Sequence, residues 1–150
     1  MKLGVPVFAF VLSAPTYAAT EDQRFLKELS RAEATWSARA PVNMTYVIRR
    51  GGVFGGSTYK ITIRGDRCRA IARHTSAKRD AVWRNASCDG VRVADIFKDL
   101  RNDLTRGTSG TTVKFNAKYG YIESLSVEPD VDLTDQGWFV TMLRFTEDRR

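Results

Sequence analysis

Apolar residues recur along this chain at two different periods, and the order in which the periods change limits the fold more than any other feature. A three-to-four-residue period comes first, in Phe25, Leu26, Leu29, Ala32 and Trp36, with Lys27, Glu28, Arg31 and Glu33 on the opposite side, so an amphipathic helix is expected. Thr20-Glu21-Asp22-Gln23 has the form of a capping box, in which the threonine hydroxyl and the glutamine amide each satisfy a backbone donor, and this places the helix start at Thr20. Pro41 stops it. Alternation follows, with Met44, Tyr46 and Ile48 against Thr45, Val47 and Arg49, then Tyr59, Ile61 and Ile63 against Lys60, Thr62 and Arg64. Two more runs, Arg67–His74 and Ala81–Cys88, extend the series to a four-stranded meander. The helical period returns in Val93, Ile96, Phe97, Leu100 and Leu104, with Gly107 placed to take the left-handed conformation that ends a helix. Three last strands are expected over Thr111–Ala117, with Val113 and Phe115 on one face, Ile122–Glu128, with Leu125 and Val127 on one face, and Trp138–Phe145. Strands that run in blocks, not alternating with helices, give an α+β fold: a single domain with an antiparallel sheet of about seven strands and its helices on one face. Phe25, Leu29, Trp36, Ile96, Phe97 and Leu100 are the expected helix contributions to the core.

The chain opens with a different kind of segment. Lys2, an apolar run from Leu3 to Leu12, then Ser13-Ala14-Pro15 and Thr16-Tyr17-Ala18 have the charge, apolar centre and small-residue exit of a secretory signal peptide, too short for a permanent membrane anchor. Cleavage after Ala18 suits the small-residue rule, whereas cleavage after Ala19 puts bulky Tyr17 three residues before the cut. No cysteine sits there to carry a lipid. The expectation is therefore residues 1–18 as signal peptide, residues 19–150 as one domain, and a periplasmic or secreted product with no transmembrane anchor. Of the charged residues only Lys2 is lost on cleavage, so the formal net charge falls from +7 to +6. That surplus favours anionic partners, among them lipid headgroups, acidic glycans, nucleic acid or an acidic protein, and it also keeps a small exported protein soluble.

The two cysteines, Cys68 and Cys88, bracket a hairpin whose connection is the polar stretch Thr75–Asp80. Pairing about Lys78 sets position 68 opposite position 88, close enough for a cross-strand disulfide that closes a loop of about twenty residues. A redox or metal role has little support, because there is no Cys-x-x-Cys spacing and His74 is the only histidine. No cofactor is expected.

Basic residues crowd the meander: Arg49, Arg50, Lys60, Arg64, Arg67, Arg69, Arg73, Lys78, Arg79 and Arg84. Alternation puts Arg67, Arg69 and Arg73 on one face of their strand, and the same register sets Arg73 across from Trp83, in reach of a cation–π contact. Such a face is either solvated or a docking surface for an anionic envelope component or acidic protein. A basic face with an aromatic also has the look of a single-strand nucleic-acid platform, but export argues against that use and no nucleic acid is expected. Between the first two strands lies Gly51-Gly52-Val53-Phe54-Gly55-Gly56. It is not a phosphate loop, since a strand and not a helix follows and the lysine and hydroxyl of a P-loop are absent. Its glycines make a mobile tip, and Phe54 with Val53 at the apex either plugs a partner's pocket or folds back on the sheet edge.

Catalytic groups are sparse. Serine or cysteine catalysis needs a neighbouring base, and His74, beside Arg73 on the cysteine hairpin, reads as a surface strand position. Glu123 and Glu128 approach a loop carrying Asp130, Asp132 and Asp135, a set that could serve a carboxylate-dependent hydrolase or, at 128–135, a calcium ion. The loop lacks the glycine and the distal glutamate of the twelve-residue calcium loop, and a solvated acidic turn is the simpler reading.

Tyr46 with Arg49-Arg50, the strand Tyr59-Lys60-Ile61-Thr62-Ile63, Cys88-Asp89-Gly90 leading into Val93-Ala94-Asp95-Ile96-Phe97, and Val113-Lys114-Phe115 followed by Lys118-Tyr119-Gly120-Tyr121 together resemble an uncharacterised family of small bacterial secreted proteins and lipoproteins, known as a domain of unknown function. The likeness runs from about Tyr46 to Phe145. It departs at Ile122, where the family often has proline, and at Cys68, single where a close pair of cysteines is common. The resemblance implies export and the fold, and it supplies no catalytic residue. The expected function is an exported non-enzymatic binding module, an inhibitor or envelope-associated binding protein, using Val53, Phe54, Arg67, Arg69, Arg73 and Trp83. The alternative is a small carboxylate-dependent hydrolase of the cell envelope.

Overall fold

The computed structural model describes residues 17–74, 82–129 and 137–148. The expected signal segment up to residue 16, the 75–81 connection and the acidic residues 130–136 lie outside that set. The elements run α1 (Tyr17–Arg39), β1 (Asn43–Gly52), β2 (Gly55–Arg64), β3 (Arg67–His74), β4 (Arg84–Ala86), α2 (Val93–Arg106), β5 (Thr108–Phe115), β6 (Ile122–Pro129) and β7 (Trp138–Glu147). The seven strands make one antiparallel sheet in the order β4-β3-β2-β1-β7-β6-β5. The α+β single-domain arrangement therefore holds. Two meanders, β1 to β4 and β5 to β7, are fused where the first strand pairs with the last, Tyr46 opposite Phe145 and Arg50 opposite Val140.

Alternation decides which side of the sheet is covered. Met44, Tyr46 and Ile48 on β1, Ile61 on β2, Ala70 on β3, Leu125 and Val127 on β6 and Val140 on β7 are buried on one face. Phe25 and Leu29 of α1 and Ile96, Phe97, Leu100 and Leu104 of α2 complete that core. Trp36, also expected there, is half-buried and closes the rim, its ring edge-on to Tyr121 and Phe145 at 6.4 and 6.3 Å. Tyr121 and Phe145 stack at 4.6 Å. Gly120 lets this corner form: it has φ +85°, and a Cβ there would stand 2.3 Å from the Ala32 carbonyl oxygen of α1, so only glycine fits.

Several boundaries differ from expectation. α1 begins at Tyr17, upstream of the capping box, because the two alanines before Thr20 are the best helix formers and nothing there breaks the turn. α2 ends at Gly107 as expected, but with φ +98° and ψ 139°, an extended exit that turns the chain straight into β5, while its N–H still reaches the Asp103 carbonyl at 3.0 Å. β5 consequently starts at Thr108 instead of Thr111, where buried Asp22 of α1 accepts from both the Thr108 N–H (2.9 Å) and its hydroxyl (2.7 Å). β7 carries a bulge: Ile48 faces Met142 but Val47 faces Arg144, leaving Leu143 over. The extra residue moves the inward series from Val140 and Met142 to Phe145 and sends Arg144 outward.

Cys68 and Cys88 form the disulfide, with Cα atoms 6.4 Å apart. The pairs Ala70–Ala86, Ile71–Asn85 and Ala72–Arg84 are centred on position 78, the expected register. β4 is shorter than the expected Ala81–Cys88 run. Cys88 lies just beyond it, at the turn into α2 where its carbonyl accepts from the Val91 N–H at 3.3 Å.

Candidate functional site

Among the described residues both helices lie on one face of the sheet and no helix lies on the other. On β3 that other face displays Arg67, Arg69, Ile71 and Arg73. Opposite them β2 places Arg64, Thr62, Lys60 and Thr58 in turn, and β1 continues the rows with Asn43, Thr45, Val47 and Arg49. The expectation that Arg67, Arg69 and Arg73 share a face is met, and all three are exposed. Two cations of the wider face are neutralised: Arg64 by Asp148 at 2.6 Å and Lys114 by Glu123 at 2.7 Å. Among the described residues Lys60, Arg67, Arg69 and Arg73 join no ion pair. Lys60, Thr62, Arg69 and Ile71 line a shallow depression of about 240 Å³ between β2 and β3. Arg73 lies over the Trp83 ring, 5.0 Å from its centre, as the register required, and Arg49 lies 5.7 Å over Phe139.

At one end of this face is the β1–β2 turn. The six-residue glycine loop expected there is smaller, because the strands pair through Gly51–Gly56 and Gly52–Gly55 and leave Val53 and Phe54 as a two-residue turn. The glycines serve close approach: a Cβ on Gly51 would meet the Gly55 carbonyl oxygen at 2.3 Å. Phe54 does not fold back. It is 87% exposed and Val53 59%.

The inward face holds a polar cluster that the basic-residue reading passed over. Arg50 donates to Asp99 Oδ2 on α2 at 2.6 Å, donates to the Gly90 carbonyl, and lies 5.0 Å over the Trp138 ring. The Trp138 indole N–H donates to Asp103 at 2.7 Å. With Asn102 and Arg106 these residues line a cleft of about 220 Å³. The signal was present: Arg50 continues the inward series Met44, Tyr46, Ile48, and Asp99 and Asp103 are one helical turn apart. Arg50, Asp99, Asp103 and Trp138 are engaged with one another or with the backbone, which makes them a clasp between sheet and helix.

The catalytic candidates fare differently. Ser57, buried and directly across from His74, has its hydroxyl 3.1 Å from His74 Nδ1. Among the described residues no carboxylate orients that imidazole, and Ser57 is buried. Glu123 bonds Lys114 and accepts from the Asn116 amide at 3.0 Å. The Lys114 and Asn116 hydrogen bonds hold its carboxyl below the usual range, which opposes service as a proton donor. Asp130, Asp132 and Asp135 lie outside the described residues, as does the calcium reading that depends on them. No group of three or more metal-binding side chains occurs among the described residues.

The profile of a family of unknown function, DUF6174, matches residues 28–147. The chain belongs to DUF6174. The match begins inside α1 and ends with β7, so the DUF6174 region contains α2, the whole sheet, the disulfide, the open cationic face and the Val53–Phe54 turn. No curated protein matches the chain. Among the described residues no helix is long and apolar enough to cross a membrane.

Proposed function

We propose that this DUF6174 protein is an exported, non-enzymatic binding module that holds an anionic protein or envelope component against its open sheet face, with Val53 and Phe54 as an apolar contact at the rim. One observation carries the reading: Lys60, Arg67, Arg69 and Arg73 stand together on one face of the sheet, and among the described residues no helix covers that face and no carboxylate pairs with any of them. Unneutralised cations on a rigid surface speed the approach of an anionic partner, and a disulfide-braced scaffold loses little freedom on docking. The leader-like residues 1–18 and the disulfide support export. Bacterial origin, periplasmic or secreted location and cleavage after Ala18 belong to the same proposal.

Capture of a partner from an envelope fraction, followed by binding kinetics, tests it. Arg69→Glu should slow association and flatten its salt dependence, and Phe54→Ala should mainly raise the dissociation rate. A partner indifferent to both substitutions binds elsewhere and overturns the proposal. For export, the extracellular or periplasmic protein should begin at Ala19; an uncut chain retained in the cytoplasm refutes that part.

A further inference from the structure

We infer that the ligand of this face is a linear acidic polysaccharide, one with a carboxylate on successive sugars, laid along β3. The inference rests on the preceding reading that the face binds an anion, and it names the anion's chemistry and direction. β3 points Arg67, Arg69, Ile71 and Arg73 the same way at the two-residue repeat of a strand, so neighbouring members stand roughly 7 Å apart and the row spans roughly 20 Å. The one gap in the charge row is Ile71, and there β2 supplies Lys60 directly opposite. The result is a near-continuous line of cations with a defined direction.

The depression in the middle of that line has the composition a carboxylated sugar requires. Arg69 offers a planar fork for a carboxylate and Lys60 a second positive charge. Thr62, opposite Arg69, provides a hydroxyl for a ring hydroxyl, and Ile71 a patch for the C–H face of the ring. Charge alone would not call for the last two.

Other anionic surfaces match less well. Single-stranded nucleic acid binds by stacking bases on aromatic rings, but Trp83 and Phe139, the aromatics of this face, already carry Arg73 and Arg49 over their rings. A bilayer is held by apolar side chains at the level of the cations. Val53 and Phe54 instead project from the strand ends, beyond the row.

The test uses the purified protein with polygalacturonate, monomeric galacturonate and phosphatidylglycerol vesicles as probes at low and moderate salt. The polymer should bind, the monomer far more weakly, and affinity should fall with salt. Arg69→Ala and Lys60→Ala should each weaken polymer binding by about tenfold. Arg144→Ala removes the same charge from the same face, three strands from β3, and should change it by less than about twofold. All three side chains point away from the core, so circular dichroism should show an intact fold. Equal losses for Arg144→Ala and Arg69→Ala would mean a diffuse field with no track and would overturn the inference, as would a monomer that binds as well as the polymer. Binding to vesicles without binding to the polymer would overturn the polysaccharide while leaving the anionic face standing. Failure of both polymer and vesicles to bind would remove the inference and the anionic face together.

Discussion

Arg50 on β1 donates to Asp99 on α2 at 2.6 Å, an ion pair that reaches from the middle of the sheet to the helix lying on it. The same guanidinium donates to the Gly90 carbonyl and covers the Trp138 ring, so a single side chain joins β1, β7, α2 and the turn that leaves the disulfide. Its alignment follows from β1, which keeps alternating after the apolar series ends and so delivers a cation where a core residue would stand.

Loss of this clasp should cost stability without changing the fold. Arg50→Ala is expected to destabilise by about 1–3 kcal/mol, since it removes a charge-assisted hydrogen bond, a carbonyl contact and a cation–π contact. Asp99→Asn should cost less, because Asp99 is 39% exposed and water screens the pair, and because the Trp138 and Gly90 contacts of Arg50 remain. Urea denaturation of the two variants should give that order. Equal stability of Arg50→Ala and the parent would show that the clasp is not structural.

The Cys68–Cys88 bridge ties β3 to the turn before α2. Thiol titration of the unfolded, unreduced protein should detect no free thiol, and reduction should lower stability by about 3 kcal/mol for a loop of roughly twenty residues. Detection of two thiols would refute the bridge.

Leu100 is fully buried between α2 and the sheet. Leu100→Ala should cost about 2–5 kcal/mol. Phe54→Ala, at the exposed turn, should stay within about 0.5 kcal/mol of the parent. Thermal or urea unfolding of the pair would read both, and comparable losses would contradict the placement of one in the core and the other in solvent.

Alkaline pH should loosen the fold through Tyr46. Burial pushes its phenol well above the ordinary range, partly offset by a backbone hydrogen bond from Val93, and its hydroxyl donates to the Val91 carbonyl at 3.3 Å. The unfolded chain releases this proton near pH 10 while the folded one retains it. The contribution is therefore complete below about pH 10 and is lost as pH rises above it, by up to about 1.4 kcal/mol per pH unit. Tyr121 shifts the same way, through burial first and the Glu123 charge second. Urea midpoints measured from about pH 9 to 11 should fall more steeply for the parent than for Tyr46→Phe. Identical slopes would show that Tyr46 ionises freely.

Local periodicity was enough to determine the elements, their order, the α+β class, the inward residues and the register about position 78, because helical and strand repeats and the cysteine spacing act over a few residues. Those same short-range signals put Arg67, Arg69 and Arg73 on one face and Arg73 against Trp83. They misplaced the start of α1 and the length of β4, and also the start of β5, where the decisive contact is distant: Asp22 holds Thr108 from 86 positions away. Nothing local could show that β1 pairs with β7, that Leu143 is left over in a bulge, or that Arg50 turns from a supposed surface charge into the link between sheet and helix. Whether Phe54 folds back or projects was likewise left open by the glycines around it, and close backbone pairing of Gly51 with Gly56 carries the strands to the turn and leaves the ring in solvent. The open cationic face is itself a tertiary result: the sequence supplies the alternating charges, but only the packing of both helices on the other side leaves them uncovered.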